Sequence, residues 1–286
     1  MQVKETYRTD IIVGYTIIFY VLMVYKFFNG MFLFQMLPSF FYTREDLFTW
    51  IFMLTNFHKW LLNNQLGCIL MDTLFYTTPI LFYLLYKQSI KNKTSNYNLF
   101  NITRLAAFIM LFINVAYIQC YTLYPTNSIE AHIAWMLFPI VFIAKDIQVF
   151  KLLTDGIRYF LLFFLMSAGI WKFAQGGIFN THQMSNVLLV QHKEILVITP
   201  QHWYAQFIQF LITTPKLSYA LYFAGTIFEL SCIVGFFTKK YDSFILIGWL
   251  FFLCFDHFIM RIPYYEISAL LLPFIISVEN SNSKTE

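Results

Sequence analysis

The sequence predicts an all-α fold: a polytopic integral membrane helix bundle of about eight spans plus one interfacial helix. Three observations carry that expectation. Of the 286 residues, 59% are hydrophobic and only 12% charged, well below the charge fraction of a soluble domain, and the mean hydropathy is +0.61. Aromatic residues make up 21%, with 35 Phe and 19 Tyr against 10 Gly, which suits helices wrapped in lipid and anchored in interface belts. Finally, short connections rich in Lys and Arg alternate with connections poor in them, as the positive-inside rule requires. The net charge of +4 is spread over those connections rather than gathered in a basic stripe. Nucleic acid is therefore not an expected partner, whereas membrane lipids are.

Taken in order, the first apolar run, about 11–28, follows a polar N-terminus and lacks a small-residue cleavage site, so it reads as a span and not as a removable signal peptide. The segment at about 44–62 has Thr43 and Asp46 at capping-box spacing and apolar residues at helical spacing, which predicts a helix lying in the interface. Spans at about 66–86 and 102–124 flank the basic segment with Lys87, Lys91 and Lys93, which is placed in the cytoplasm. After a turn without Lys or Arg comes a span at about 132–150, then a second basic connection with Lys145, Lys151 and Arg158. The fifth span, about 155–173, leads into an irregular outer loop region, 176–216. Spans at about 217–237, 243–260 and 264–277 complete a single transmembrane domain over 1–286, with Lys239 and Lys240 inside and both termini cytoplasmic. The last run is short for a span. A bacterial inner (plasma) membrane is the expected location.

The fifth span carries the residue of greatest chemical interest. Its small-residue patch Ser167-Ala168-Gly169, where helices can approach closely, is followed by Lys172. A lysine there either serves function or snorkels to the head groups. Asp256 and His257 fall about one turn from the outer end of span seven, Glu266 on the outer side of span eight, and Glu229 about 12 residues into span six, near the midplane. A bare carboxylate at that depth costs several kcal/mol and must be protonated, paired or wet. The set offers a base, an imidazole and carboxylates, which suits proton transfer to or from a lipid-soluble molecule; structural hydrogen bonding is the alternative for Glu229 and His257. Asp72 and Arg104 read as a structural pair or interface residues, and Gly225 and Gly235 as marks of close helix packing. His182, His192 and His202 are each ten apart, without the close spacing of a zinc site, so no metal is expected. Cys68, Cys120, Cys232 and Cys254 lie in apolar runs without CxxC spacing and read as reduced packing residues.

The run RYFLLFFLMSAGIWKF, the PQHW loop, FELSCIVGFF and FFLCFDHFIMRIPYYEISALLLPF resemble the membrane domain of the vitamin K-dependent gamma-carboxylase family, the horizontally transferred transmembrane (HTTM) domain. The similarity is strongest over about Arg158 to Phe274. The resemblance implies a quinone or hydroquinone as cofactor, with Lys172 as the base that deprotonates it, and His257 and Glu229 as further catalytic residues. Gly169, Trp171, Asp256 and Glu266 would then contact the cofactor. The resemblance implies a carboxylase-like enzyme or a quinone-linked oxidoreductase; the animal carboxylases carry a long soluble part after the last spans that engages the protein substrate, so protein carboxylation by this sequence alone is not expected. The other class is a non-catalytic membrane subunit, similar to the small DoxX-like and MauE-like proteins, that holds a partner membrane or secreted protein.

Overall fold

The computed structural model describes residues 2–36, 47–91, 97–124, 129–262 and 264–276. It is all-α, with no strand among the described residues. Four helices there are long and apolar enough to cross a membrane, Thr6–Phe28, Gln65–Lys91, Phe100–Tyr121 and Pro215–Phe236, consistent with a membrane protein. They coincide with the first, second, third and sixth expected spans. The chain divides into two compact units, Met1–Asp155 and Gly156–Glu286.

The first unit holds α1 (Gln2–Phe28), α2 (Leu47–Leu54), α3 (Phe57–Leu62), α4 (Gln65–Lys91), α5 (Tyr97–Tyr121), α6 (Ile129–Phe142) and the start of α7 (Ile147–Ala174). The expected interfacial helix is two short helices. The chain breaks at Asn56, whose φ of 52° is left-handed and cannot continue an α-helix. The Thr43–Asp46 box lies outside the described residues. Pro79 sits inside α4 without ending it, because other groups take up the hydrogen bonds it disrupts. The Thr78 hydroxyl donates to the Phe75 carbonyl, and the Tyr20 hydroxyl donates to the Tyr76 carbonyl at 2.8 Å while accepting from the Ile80 amide at 3.1 Å.

The fourth span was expected to run to 150, but α6 ends at Phe142 and a new helix starts at Ile147. Arginine side chains hold this break open by satisfying the helix-end carbonyls: Arg104 Nε donates to Ile143 O at 2.8 Å, and Arg8 Nη2 to Ala144 O and Lys145 O at 3.1 Å. Arg104 is thus not bonded to Asp72. The Asp72 carboxylate accepts from the Leu33 and Phe34 amides at 3.2 and 3.0 Å, fixing the chain after α1.

The second unit continues α7 and adds α8 (Gln183–Ile198), α9 (Trp203–Thr213), α10 (Pro215–Ser231) and α11 (Asp242–Phe258), with 3-10 segments at Gly177–Phe179, Cys232–Phe236 and Tyr264–Leu271. The basic connection expected to hold Lys145, Lys151 and Arg158 shrinks to the four residues before α7, and Arg158 lies deep inside that helix. Its guanidinium grips Asp242 with two bonds, Nε to Oδ2 at 3.0 Å and Nη2 to Oδ1 at 2.5 Å, and also donates to Gly235 O. Both side chains are 1% exposed; a fork-to-carboxylate pair of this kind is what allows two charges to sit away from water. The region 176–216, expected to be irregular, holds α8 and α9, which bury Met184, Leu188, Ile208 and Leu211 against each other.

Candidate functional site

The small-residue patch places Lys172. A Cβ built on Gly169 would stand 3.0 Å from Leu230 Cγ and 3.2 Å from Glu229 Cβ, so the missing side chain is what lets α7 close onto α10 at the level of Glu229. Three residues on, in the last turn of α7, Lys172 Nζ donates to Glu229 Oε1 at 2.6 Å. The two side chains differ in exposure, 27% for Lys172 and 2% for Glu229, so the amine looks into open space and the carboxylate into the protein. The second oxygen, Oε2, is buried and has no hydrogen-bond partner among the described residues. The rings of Tyr222 and Phe252 lie 5.4 and 5.9 Å from Nζ, presenting π-faces to the cation.

The open space is a cavity of about 800 Å³ bounded by α7, α10 and α11, large enough for a drug-sized ligand. Its walls are mostly apolar, Phe164, Phe228 and Phe255 among them, and its polar groups are few: Lys172, Glu229, Asp256, Tyr222 and Tyr264. Asp256 is buried and interacts electrostatically with both Lys172 and Glu229. One amine therefore stands within electrostatic reach of two carboxyl groups at the wall of an apolar cavity. Such a set can bind a hydroxyl-bearing head group and move a proton to or from it.

Of the residues nominated from the sequence, the structure brings Lys172, Glu229 and Asp256 to this cavity, with Gly169 just behind its wall. His257 lines a second, smaller cavity instead. Trp171 is 64% exposed and Glu266 is buried on the last 3-10 segment; neither lines the main cavity. Gly235 is a packing glycine as expected, since a Cβ there would meet Leu162 Cδ2 at 2.7 Å, but around Gly225 nothing lies within 4 Å and it opens onto the cavity. Tyr222 went unnoticed, although it shares a helix face with Gly225 and Glu229 at i, i+3 and i+7. Cys68, Cys120 and Cys232 are buried, whereas Cys254 is exposed and lines the cavity. Among the described residues no three His, Cys, Asp or Glu side chains converge as metal ligands.

At the far end of α11, the Tyr204 hydroxyl donates to the Phe258 carbonyl and His192 Nε2 donates to the Ile259 carbonyl at 2.7 Å. These bonds tie α8 and α9 to the helix that carries Asp256. His192 is fully buried, its Nδ1 unpartnered among the described residues. Burial, helped by the nearby Arg261 charge, holds its pKa below the ordinary 6.5, so the ring is neutral at physiological pH. Comparison of the chain with protein-family models, with curated proteins and with solved structures found no match.

Proposed function

We propose that this protein is a membrane enzyme that binds a quinone or a similar isoprenoid in the 800 Å³ cavity and uses Lys172 as general base. The single observation that carries the reading is the Lys172–Glu229 pair at 2.6 Å on the wall of that cavity. The residues present fit such a ligand. The apolar walls suit its ring and tail, and the partly exposed Lys172 amine is the polar group that a ligand hydroxyl would meet. A bound hydroquinone supplies an acidic phenolic hydroxyl. The 2.6 Å contact between Lys172 Nζ and Glu229 Oε1 gives a proton a path from the amine to the carboxylate, and with that proton on Glu229 the amine would be free to take another at Nζ. The apolar walls keep water from competing for it. Asp256 supplies a second carboxyl within electrostatic reach, where the proton can go next. His257 is outside this set.

Around this site the chain is read as eight spans with both termini cytoplasmic, in a bacterial inner membrane, with the membrane-domain chemistry of the vitamin K-dependent carboxylase family. The test is Lys172→Arg. Arginine keeps the charge and the apolar stem but does not give up its proton, so the variant should fold, retain the lipid extracted from the purified parent, and lose turnover or the change in that lipid's oxidation state. Full activity in the Arg variant would remove Lys172 as base. A protein that co-purifies in fixed ratio while no quinone is extracted would favour the membrane-subunit reading.

A further inference from the structure

The second cavity, about 570 Å³, lies where the ends of α9 and α11 meet and has a different chemistry from the first. Arg261, His202 and His257 line it, together with Trp203 and Phe258, and no carboxylate is among its lining residues. His202 caps the N-terminus of α9, its Nδ1 accepting from the Tyr204 amide at 3.3 Å. The ring proton therefore sits on Nε2, which remains available as a donor. At the α11 end, the Phe258 and Ile259 carbonyls accept from Tyr204 and His192.

Arg261 supplies a second, independent observation. Its φ is 51°, one of two positive values at non-glycine residues among the described ones. Glycine would take this conformation without strain and asparagine with little. A strained backbone under a long cationic side chain points to use of that side chain. The guanidinium stands 6.0 Å over the Tyr204 ring, which anchors it while leaving donors for a ligand.

We infer that this cavity binds the phosphate of a membrane lipid head group. An arginine with no carboxylate among the lining residues selects an anion, and its fork together with the His202 Nε2–H matches phosphate oxygens. The surroundings favour a lipid over free phosphate. Trp203 is 71% exposed and Phe258 64%, and both line the basic pocket, an apolar rim that suits the membrane interface. The lipid tail would lie along that rim. The inference rests on the membrane location alone and not on the chemistry at Lys172.

The test uses the full chain in detergent with brominated lipids, which quench nearby tryptophan. The signal of Trp203 is the difference between the parent and Trp203→Phe. Brominated phosphatidic acid should quench it at a roughly tenfold lower mole fraction than brominated phosphatidylcholine. Arg261→Gly and Arg261→Asn both suit the left-handed backbone, so each should fold with a thermal midpoint no lower than the parent's and lose the preference. Inorganic phosphate should not displace the brominated phosphatidic acid. Equal quenching by the two lipids, or a preference that survives in both Arg261 variants, overturns the site. Displacement by inorganic phosphate overturns its assignment to a lipid.

Discussion

Two glycines in the same unit make opposite predictions, and the difference tests whether the main cavity is a binding site. At Gly169 a Cβ would press on Leu230 and Glu229 at 3.0–3.2 Å. Overpacking of this kind costs about 1–3 kcal/mol, against about 1 kcal/mol gained by replacing glycine within a helix, so Gly169→Ala should lose up to about 2 kcal/mol. At Gly225 no atom lies within 4 Å, so Gly225→Ala should gain most of that 1 kcal/mol, and Gly225→Leu should stay folded while its side chain fills ligand space. Cys254 reports on that space, since it is the exposed cysteine of the four and lines the cavity. An apolar maleimide should alkylate Cys254 quickly, and an added quinone should slow the reaction. In Gly225→Leu the quinone should no longer protect, and the lipid extracted from purified protein should fall. Undiminished protection and unchanged bound lipid in Gly225→Leu, with Gly225→Ala less stable than the parent, would refute both the open geometry and its use.

Arg158→Leu strands Asp242 in a site where both partners are 1% exposed and should cost about 3–5 kcal/mol; Arg158→Leu with Asp242→Leu should cost much less than the sum of the single changes, as thermal unfolding of the four proteins will show. Lowering the pH should loosen α8 and α9. Because folding holds the His192 pKa below 6.5, the undocked state binds the proton first, so stability is flat above about pH 6.5 and falls below it. Hydrogen exchange of α8 amides should therefore accelerate on acidification in the parent and not in His192→Gln. For topology, reporter fusions after Lys93 and after Ser128 should give opposite sides of the membrane; the same side for both would end the eight-span arrangement.

The long apolar helices were legible because bilayer thickness imposes a run of about 20 residues that composition alone reveals. What the sequence concealed is what depends on distant residues. Arg158 looks like a loop cation until its partner Asp242, 84 residues away, is in place; the positive-inside rule counts it as a connection residue although its charge is neutralised inside the protein. The C-terminal boundary of α6 was missed for the same reason, since Arg8 and Arg104 satisfy its carbonyls from α1 and α5. Helices α8 and α9 are a different case. Their His, Gln and Lys residues and Pro200 suggest a loop, yet Met184 and Leu188, and Ile208 and Leu211, stand at i+4 and i+3 spacing, a helical period that a count of apolar matches would have registered.

At the candidate site the residues were legible one by one and their depths were not. Lys172 was placed at the end of its span and Glu229 near the midplane, which would keep them apart, yet they meet at 2.6 Å. Side chains on a helix lean toward its N-terminus. A lysine in the last turn of α7 therefore covers the turn before it, the level of Ala168 and Gly169, and a snorkelling amine would have to reach against that lean. The small-residue patch sets the outcome, because at Gly169 α10 comes close enough to put Glu229 where the amine arrives. The lysine is drawn back along its helix to a carboxylate, and a residue that could have been an interface anchor becomes the polar end of an apolar cavity.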